Sequence, residues 1–268
     1  MKIKIMVFLC GVFLALPLSA AVVKVASDDF TASANVITFS EFPLGTVNPT
    51  YTPAEYAGDV GDPTITFGGF FMGQSLSATP GVDCPGAAAS ACIVGTPTGP
   101  LMLDPDSPDT FTVTDGSNPS SPVLSGTPTF NGGIALLFSE DQFAVGFDGG
   151  FFNAVASTAI TAFARDGSML GSIGNDVEGI EFLGLALSNG ASEIAGVFLD
   201  LIGAEPAGFA IDNVRFGTAD EVDVIIIDDG DENGGPQADV PEPATIFIFT
   251  ILCAGLAGQQ RLRHQLKA

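Results

Sequence analysis

The sequence predicts an all-β protein, a jelly-roll-like β-sandwich flanked by an N-terminal signal peptide and a C-terminal single transmembrane helix. Three observations predict the sandwich. Short runs of β-branched and aromatic residues are separated by turn-forming residues, 33 Gly and 18 Pro among them. The body shows almost no helical periodicity. The chain has 22 Phe and no Trp, so Phe has to supply most of the aromatic core. Many short strands without intervening helices are typical of two packed antiparallel sheets.

The predicted sandwich domain comprises residues 22–217 and contains ten strands. Two turns have strong signals, Asp166-Gly167 and Asn189-Gly190, because Asp-Gly and Asn-Gly favour the tight turns of β-hairpins. In chain order the predicted strands are Asn35–Phe39, Thr64–Met72, Thr110–Thr114, Gly133–Phe138, Phe143–Phe147, Ala159–Arg165, Leu170–Ile173, Ile180–Leu187, Ala195–Ile202 and Phe209–Phe216.

The last predicted strand, GFAIDNVRFG, changes the parity of its apolar residues at Asp212-Asn213. If the apolar residues on both sides are buried, one extra residue has to be absorbed at this point, as in a β-bulge. We expect both polar side chains to turn outward together there. An Asx-type backbone bond would explain them, and ligation of a structural Ca²⁺ by Asp212 is the alternative.

The amino end predicts a signal peptide over residues 1–21. Two lysines precede an apolar stretch from Ile5 to Leu18 that is too short to span a membrane. The small residues Ser19, Ala20 and Ala21 then offer a cleavage region. The protein is therefore expected to be exported through the inner membrane.

Two cysteines remain in the body, Cys84 and Cys92. Two thiols cannot complete a four-thiolate zinc site, and the body contains no His. In an oxidising compartment we expect them to form a disulfide that fixes one surface loop.

The charge distribution argues against nucleic-acid partners. The whole chain carries a formal charge of −23, and the segment from Val22 to Asp239 has only 3 basic against 30 acidic residues. Such a body repels phosphate backbones and would attract divalent cations or basic polymers. The simpler explanation is that the charge maintains solubility.

An acidic linker is predicted over residues 218–239. Its segment DDGDENGG begins like a D-x-D-x-N-G calcium loop, but Val240 stands at the twelfth position, where such loops have a bidentate Glu. A charged spacer without metal is the alternative, and no cofactor is required by the sequence. The candidate Ca²⁺ ligands are Asp212, Asp229, Asp231 and Asn233.

No catalytic residue is assigned. Without His in the body, a Ser-His-Asp or Cys-His site cannot be built. Paired carboxylates could still hydrolyse a glycosidic bond, but a body with 30 acidic residues offers such pairs by chance. A non-enzymatic protein is therefore expected.

The carboxyl end has three features in a fixed order. A Val-Pro-Glu-Pro segment is extended by its prolines, residues 244–258 are free of charge, and a basic terminus follows. We predict a short transmembrane helix over 244–258, with its basic end on the cytoplasmic side.

This order closely resembles the PEP-CTERM sorting signal of Gram-negative bacteria. The resemblance implies that exosortase, a membrane-embedded transpeptidase-like protease, recognises the Pro-Glu-Pro element, removes the tail and delivers the protein to the cell surface or extracellular polysaccharide matrix. Gln259-Gln260 is a departure, since family tails often place arginine directly after the helix. By this resemblance the signal spans residues 240–268, with the motif Val240, Pro241, Glu242 and Pro243 and the basic stop Arg261, Arg263 and Lys267.

The body also resembles the β-sandwich of many such proteins in the segments ITFSEFPLGT, FAVGFDGGFF, AITAFARDGSMLGSI and GFAIDNVRFG. This resemblance implies a fold and no activity. We expect a non-catalytic surface or matrix protein that binds exopolysaccharide. The alternatives are an extracellular carbohydrate-active enzyme with paired carboxylates and a periplasmic module that its tail anchors permanently in the membrane.

Overall fold

The computed structural model describes residues 21–116 and 118–224, with the backbone alone for 118–121. Short helical turns lie at Ser27–Asp29, Pro80–Asp83, Ala89–Ala91 and Ala219–Glu221. The strands are β1 (Val22–Lys24), β2 (Asn35–Ile37), β3 (Thr50–Tyr51), β4 (Ile65–Gly68), β5 (Gln74–Leu76), β6 (Ile93–Gly95), β7 (Thr110–Asp115), β8 (Asn118–Gly126), β9 (Ile134–Gln142), β10 (Ala144–Phe152), β11 (Thr158–Phe163), β12 (Met169–Gly174), β13 (Gly179–Leu187), β14 (Ile194–Leu201) and β15 (Ala210–Gly217).

These strands form two large antiparallel sheets and one hairpin. Sheet one has the order β1-β13-β10-β15-β8-β7, with β2 also paired to β15. Sheet two has the order β12-β11-β14-β9-β4-β3, and β5 pairs with β6 in the hairpin. The predicted all-β fold is therefore confirmed, and each of the ten predicted strands coincides with an observed one.

The inner faces of the two sheets share one hydrophobic core. Val145 and Phe147 of sheet one belong to the same buried cluster as Val197 and Leu199 of sheet two. The rings of Phe138 in β9 and Phe216 in β15 lie 5.4 Å apart across the interface. Phe dominates the largest fully buried side chains, as the composition predicted. Two sheets joined through one core are consistent with a β-sandwich.

The outer face of sheet two is covered by residues 70–103, which we call the cover. Phe71 of the cover is fully buried, and its ring lies 5.7 Å from that of Phe163 in β11. Phe198 of β14 belongs to the same second apolar cluster. The neighbouring Val197 belongs to the main core, so β14 packs apolar side chains on both faces.

The bulge in β15 is present. The register between β10 and β15 shifts between Gly146 and Asp148, and Asn213 has φ +48°. The apolar residues on both sides of Asp212-Asn213 are buried, as the parity change required. Asp212 lies on the outer face of the sheet, as described below, but its exposed fraction is only 3%.

Five strands were not predicted: β1, β3, β5, β6 and β8. The first four have two or three residues, too few to establish an alternating pattern. β8 contains two prolines, which argue against a strand when the sequence is read alone. The predicted signal peptide, apart from Ala21, and the predicted transmembrane helix lie outside the described residues. Among those described, no helix combines the length and apolar character that a membrane crossing needs.

Candidate functional site

The outer face of sheet one has two carboxylates on adjacent central strands. Asp148 of β10 and Asp212 of β15 are cross-strand partners. Their inward-facing neighbours, Phe147 and Ile211, belong to the core, so alternation directs both carboxylates to the outer face. Directly opposed residues of an antiparallel pair have Cβ atoms roughly 5 Å apart. The two carboxylates are therefore neighbours.

The bulge residue Asn213 joins this pair. Its side-chain amide donates a hydrogen bond to Asp148 Oδ2 over 2.8 Å, and its backbone N–H donates to Asp212 Oδ1 over 2.8 Å. An ordinary strand residue at this position would not place both donors beside the carboxylates, because the bulge changes the direction of the chain. The bulge thus organises the acidic pair.

The pair lies at one end of an open cleft. Asp148 and Asp212 line a narrow part of about 20 Å³. This part adjoins a wider one of about 220 Å³, because Asp115 and Gly150 line both. We call the combined feature the groove. It is concave and accessible, as small-molecule and saccharide sites commonly are.

The rim of the groove carries exposed apolar side chains. Phe151 lines the wide part and is 54% exposed, and Ile180 lines the narrow part and is 49% exposed. Asp115 lines the wide part together with Phe151, so a flat apolar surface and a hydrogen-bond acceptor share one cleft. This combination suits a ligand that has both apolar faces and polar edges.

A close backbone contact builds one wall of the wide part. The N–H of Phe209 donates to the carbonyl of Phe130 over 2.7 Å, and both residues line the cleft. Between the two segments, Gly208 has φ +76°, and a Cβ placed there would lie 1.5 Å from the Phe130 oxygen. Only glycine permits this approach.

Polar groups support a second wall of the cleft, which contains Asn153. Asn153 lines the cleft, and its side-chain oxygen accepts the N–H of Ala207 over 2.9 Å. The carboxylate of Glu205 accepts the N–H of Asn153 over 2.8 Å and the hydroxyl of Ser157 over 3.0 Å. Glu205 is fully buried, and the loss of solvent raises the pKa of its carboxyl, while these two hydrogen bonds oppose the rise.

The groove is negatively charged. It has three aspartates, and Arg215 lies one row further along the same face, opposite Gly146. The other two basic side chains of the described body are engaged elsewhere: Lys24 pairs with Asp176 and Glu181, and Arg165 pairs with Asp141. The site therefore favours neutral or cationic ligands with hydrogen-bond donors and disfavours polyanions.

The sequence-predicted site residues have different locations. Asp212 lies in the groove, and Cys84 and Cys92 are joined in a disulfide with their Cα atoms 5.8 Å apart. Ala21 is the first described residue and donates its N–H to Ser188 Oγ. Outside the described residues lie Ser19, Ala20, the calcium candidates Asp229, Asp231 and Asn233, the motif Val240, Pro241, Glu242 and Pro243, and the basic stop Arg261, Arg263 and Lys267.

The structure does not gather Asp212 into a metal site. Within residues 21–116 and 118–224, no group of three or more His, Cys, Asp or Glu side chains has an arrangement that could hold a metal ion. Sequence reasoning missed Asp148, Asp115 and Phe151. The available signal was a charged residue inside an otherwise apolar strand, in FAVGFDGGFF.

Comparison with protein-family models gives no match, and a search of curated proteins finds none with significant similarity.

Proposed function

We propose that this protein is an exported, non-catalytic component of the cell surface or extracellular matrix that binds polysaccharide in its groove. The observation that carries the proposal is the exposed ring of Phe151, which lines the wide part of an open cleft together with Asp115, while Asp148 and Asp212 line the adjoining narrow part. The disulfide in the body agrees with an oxidising compartment outside the cytoplasm.

The chemistry of a sugar matches this surface. A pyranose ring has an apolar face of C–H groups that can stack on an aromatic side chain, and its hydroxyls donate hydrogen bonds to carboxylates. The acidic groove would accept a neutral or amine-bearing polymer and repel one rich in uronic acids or phosphate.

The localisation of the protein is the second part of the proposal. Residues 1–21 would direct export, and residues 240–268 would act as a PEP-CTERM signal recognised through Pro241, Glu242 and Pro243 by an exosortase-type membrane protease. The helix over 244–258 and the basic stop would hold a membrane-anchored precursor until cleavage. In this proposal the body over 22–217 is a jelly-roll domain followed by an acidic spacer over 218–239. Ca²⁺ binding by Asp212, or by Asp229, Asp231 and Asn233, is not required for it.

Affinity electrophoresis tests the binding. The mature body is run in gels containing hydroxyethylcellulose, galactomannan, chitosan or alginate as defined probes. We expect retardation by a neutral polymer or by chitosan and none by alginate. Phe151→Ala should weaken the retardation about tenfold or more, since exposed aromatic anchors dominate such contacts. The matched control Val155→Ala removes a side chain that is 57% exposed and does not line the cleft, and it should retain binding.

Either of two results would refute polysaccharide binding: no retardation of the unmodified protein by any probe, or equal loss in the Phe151 and Val155 variants. Retardation by chitosan alone that disappears equally in both variants at moderate salt would mean nonspecific charge attraction.

Hydrolysis of the polysaccharide is the second candidate function. The cross-strand pair Asp148 and Asp212 motivates it, because most glycosidases act through two neighbouring carboxyl groups. The discriminating assay measures reducing ends released from the retarded polymer. We expect none. Release that is lost in Asp148→Asn while binding persists would establish the enzyme instead.

Mapping the carboxyl terminus tests the proposed processing and localisation. The protein is purified from its native cells, and its last peptide is identified by mass spectrometry. We expect an end near Val240 to Pro243. Recovery of the chain through Ala268 in the inner-membrane fraction would establish a permanent anchor and a periplasmic body in place of a sorted protein.

A further inference from the structure

We propose that Glu205 and the loop closed by the Cys84–Cys92 disulfide form a brace that holds both walls of the groove in place from behind. Glu205 and the cysteines are then positioning residues that do not touch the ligand. The effect on ligand binding rests on the proposed function, whereas the effect on the walls does not.

The disulfide-closed loop contacts both segments of the first wall. The N–H of Ala88 donates to the backbone carbonyl of Glu205 over 3.1 Å. The hydroxyl of Ser90 donates to the carbonyl of Asn131, the residue that follows Phe130. The loop also packs closely on the 203–209 segment, since a Cβ at Gly86 would lie 3.1 Å from Ala204 Cα. One small loop thus fixes both segments that meet at the Phe209–Phe130 hydrogen bond.

The side chain of Glu205 extends the brace to the second wall. Its carboxylate holds the backbone of Asn153 and the hydroxyl of Ser157. Asn153 in turn accepts the N–H of Ala207, two residues after Glu205. These bonds form a closed circuit between the two walls, in which the Glu205 carboxylate is buried and the Ala207–Asn153 hydrogen bond lies at the surface.

The disulfide determines whether this circuit has a fixed support. Cys84 and Cys92 are eight positions apart and both buried. The residues between them include the 3₁₀ turn Ala89–Ala91, but no strand. Without the bond, the short loop would keep its hydrogen bonds and the packing of Ala87, Ala88 and Ala91 on the core, but no covalent closure, and less constrained segments open locally below the global unfolding free energy. The 203–209 segment would then lose its support on one side.

Amide hydrogen exchange on the full mature body tests the brace without any ligand. In C84S/C92S, the amides of Asn153, Ala207 and Phe209 should exchange about tenfold faster or more, while the central amides of β11 and β14 keep their rates. Glu205→Ala should accelerate the same three amides, and Glu205→Gln should restore part of the protection, because its amide oxygen can still accept. Thr161→Ala, which removes the Thr161–Ser172 hydrogen bond of sheet two, is the matched control and should leave these three amides unchanged.

The same variants are then tested for retardation by the polysaccharide that the unmodified protein binds. We expect about tenfold weaker retardation for C84S/C92S and Glu205→Ala, and partial recovery for Glu205→Gln. Unchanged exchange at all three amides overturns the brace, whatever the binding result. Faster exchange with undiminished retardation overturns its role in binding. If the unmodified protein binds none of the probes, the proposed function fails, and the exchange rates alone decide the brace.

A variant that fails to fold does not prevent the test. If C84S/C92S does not fold, C84A/C92A opens the ring without placing a hydroxyl at either buried position, and the same three amides are followed. Glu205→Gln keeps the size of the side chain and tests the other half of the brace.

Discussion

The outer faces of the two sheets differ in how much of each is covered by other segments of the chain. On sheet two, the cover buries Phe163 and Phe198 beneath its own apolar residues. On sheet one, Phe30 packs against Phe182 over one part of the outer face, whereas the part with Asp148 and Asp212 opens to solvent along the groove. An antiparallel sheet needs only one buried face for stability, and the other is free to carry function. In this protein the outer face of sheet two forms a second core, whereas the outer face of sheet one keeps an open groove.

The sequences of the strands follow this difference. In β11 all six residues, TAITAF, are buried, because the core lies on one side and the cover on the other. In β10, Asp148 is half-buried between buried residues, and it lies on the outer face at the groove. Removing matched side chains from the two faces should therefore have very different effects on stability.

The largest expected effect is on the covered face. Phe71→Ala removes a fully buried ring that contacts Phe163 edge to face. The free energy of unfolding should fall by about 3–5 kcal/mol, which combines lost burial with the cavity left behind. Urea denaturation followed by circular dichroism measures this. A loss below about 1 kcal/mol would mean that the cover is not part of the cooperative fold.

A smaller loss is expected where the groove wall depends on a glycine. In Gly208→Ala, the added Cβ would meet the Phe130 oxygen, and the residue would also keep a positive φ. We expect a loss of about 2–3 kcal/mol from the displaced backbone and the φ strain together. Gly45→Ala is the control, because Gly45 has φ +82° and no atom within 4 Å of the added Cβ. Its cost should be about 1 kcal/mol, and equal losses at both sites would contradict the close contact.

The strands of both sheets could be predicted largely from the sequence, because local pattern and turn chemistry agree. Gly167 and Gly190 both have positive φ in the two turns that the sequence identified. The bulge followed from the parity of the apolar residues around Asp212-Asn213. These features depend on neighbours within one or two strands, which the sequence displays directly.

The groove could not be predicted in the same way. Its acidic pair depends on the register of β10 against β15, and that register joins residues more than 60 positions apart. Which outer face the cover packs against depends on how residues 70–103 fold, and no local pattern specifies that. The burial of Asp212 and the role of Glu205 arise from loops that meet only in the folded chain. A lone charged residue in an apolar strand indicated Asp148, but not its partner.

The pH dependence of stability should reveal one acidic group on the outer face of sheet two. Burial raises the pKa of Asp200 in β14 from 3.8 to about 6, partly offset by the Leu201 backbone hydrogen bond. Because the folded pKa lies above the unfolded one, the fold favours the protonated form. The stabilisation is complete below about pH 4 and is lost as the pH rises through about 6.

Asp200→Asn should remove this dependence. Between pH 4 and pH 7 the unmodified protein should lose roughly 1–2 kcal/mol more than the variant, a value reduced for partial solvation from the full effect of the shift. Urea midpoints at a series of pH values, or direct titration of the carboxyl carbon by NMR, measure it. Glu205 contributes a similar slope to both proteins, so the difference isolates Asp200. Parallel pH profiles would show that solvent reaches this carboxylate.

The smallest expected effect on stability is at the groove of sheet one. Phe151→Ala removes a ring that is 54% exposed, so only part of its surface leaves an apolar environment, and the free energy of unfolding should change by less than about 1 kcal/mol. The contrast with Phe71→Ala tests the division between the two outer faces directly, because both changes truncate the same side chain. A large loss here would mean that Phe151 belongs to the packing of sheet one. A near-neutral change in stability, together with lost retardation by polysaccharide, would mean that the ring is kept exposed for its ligand.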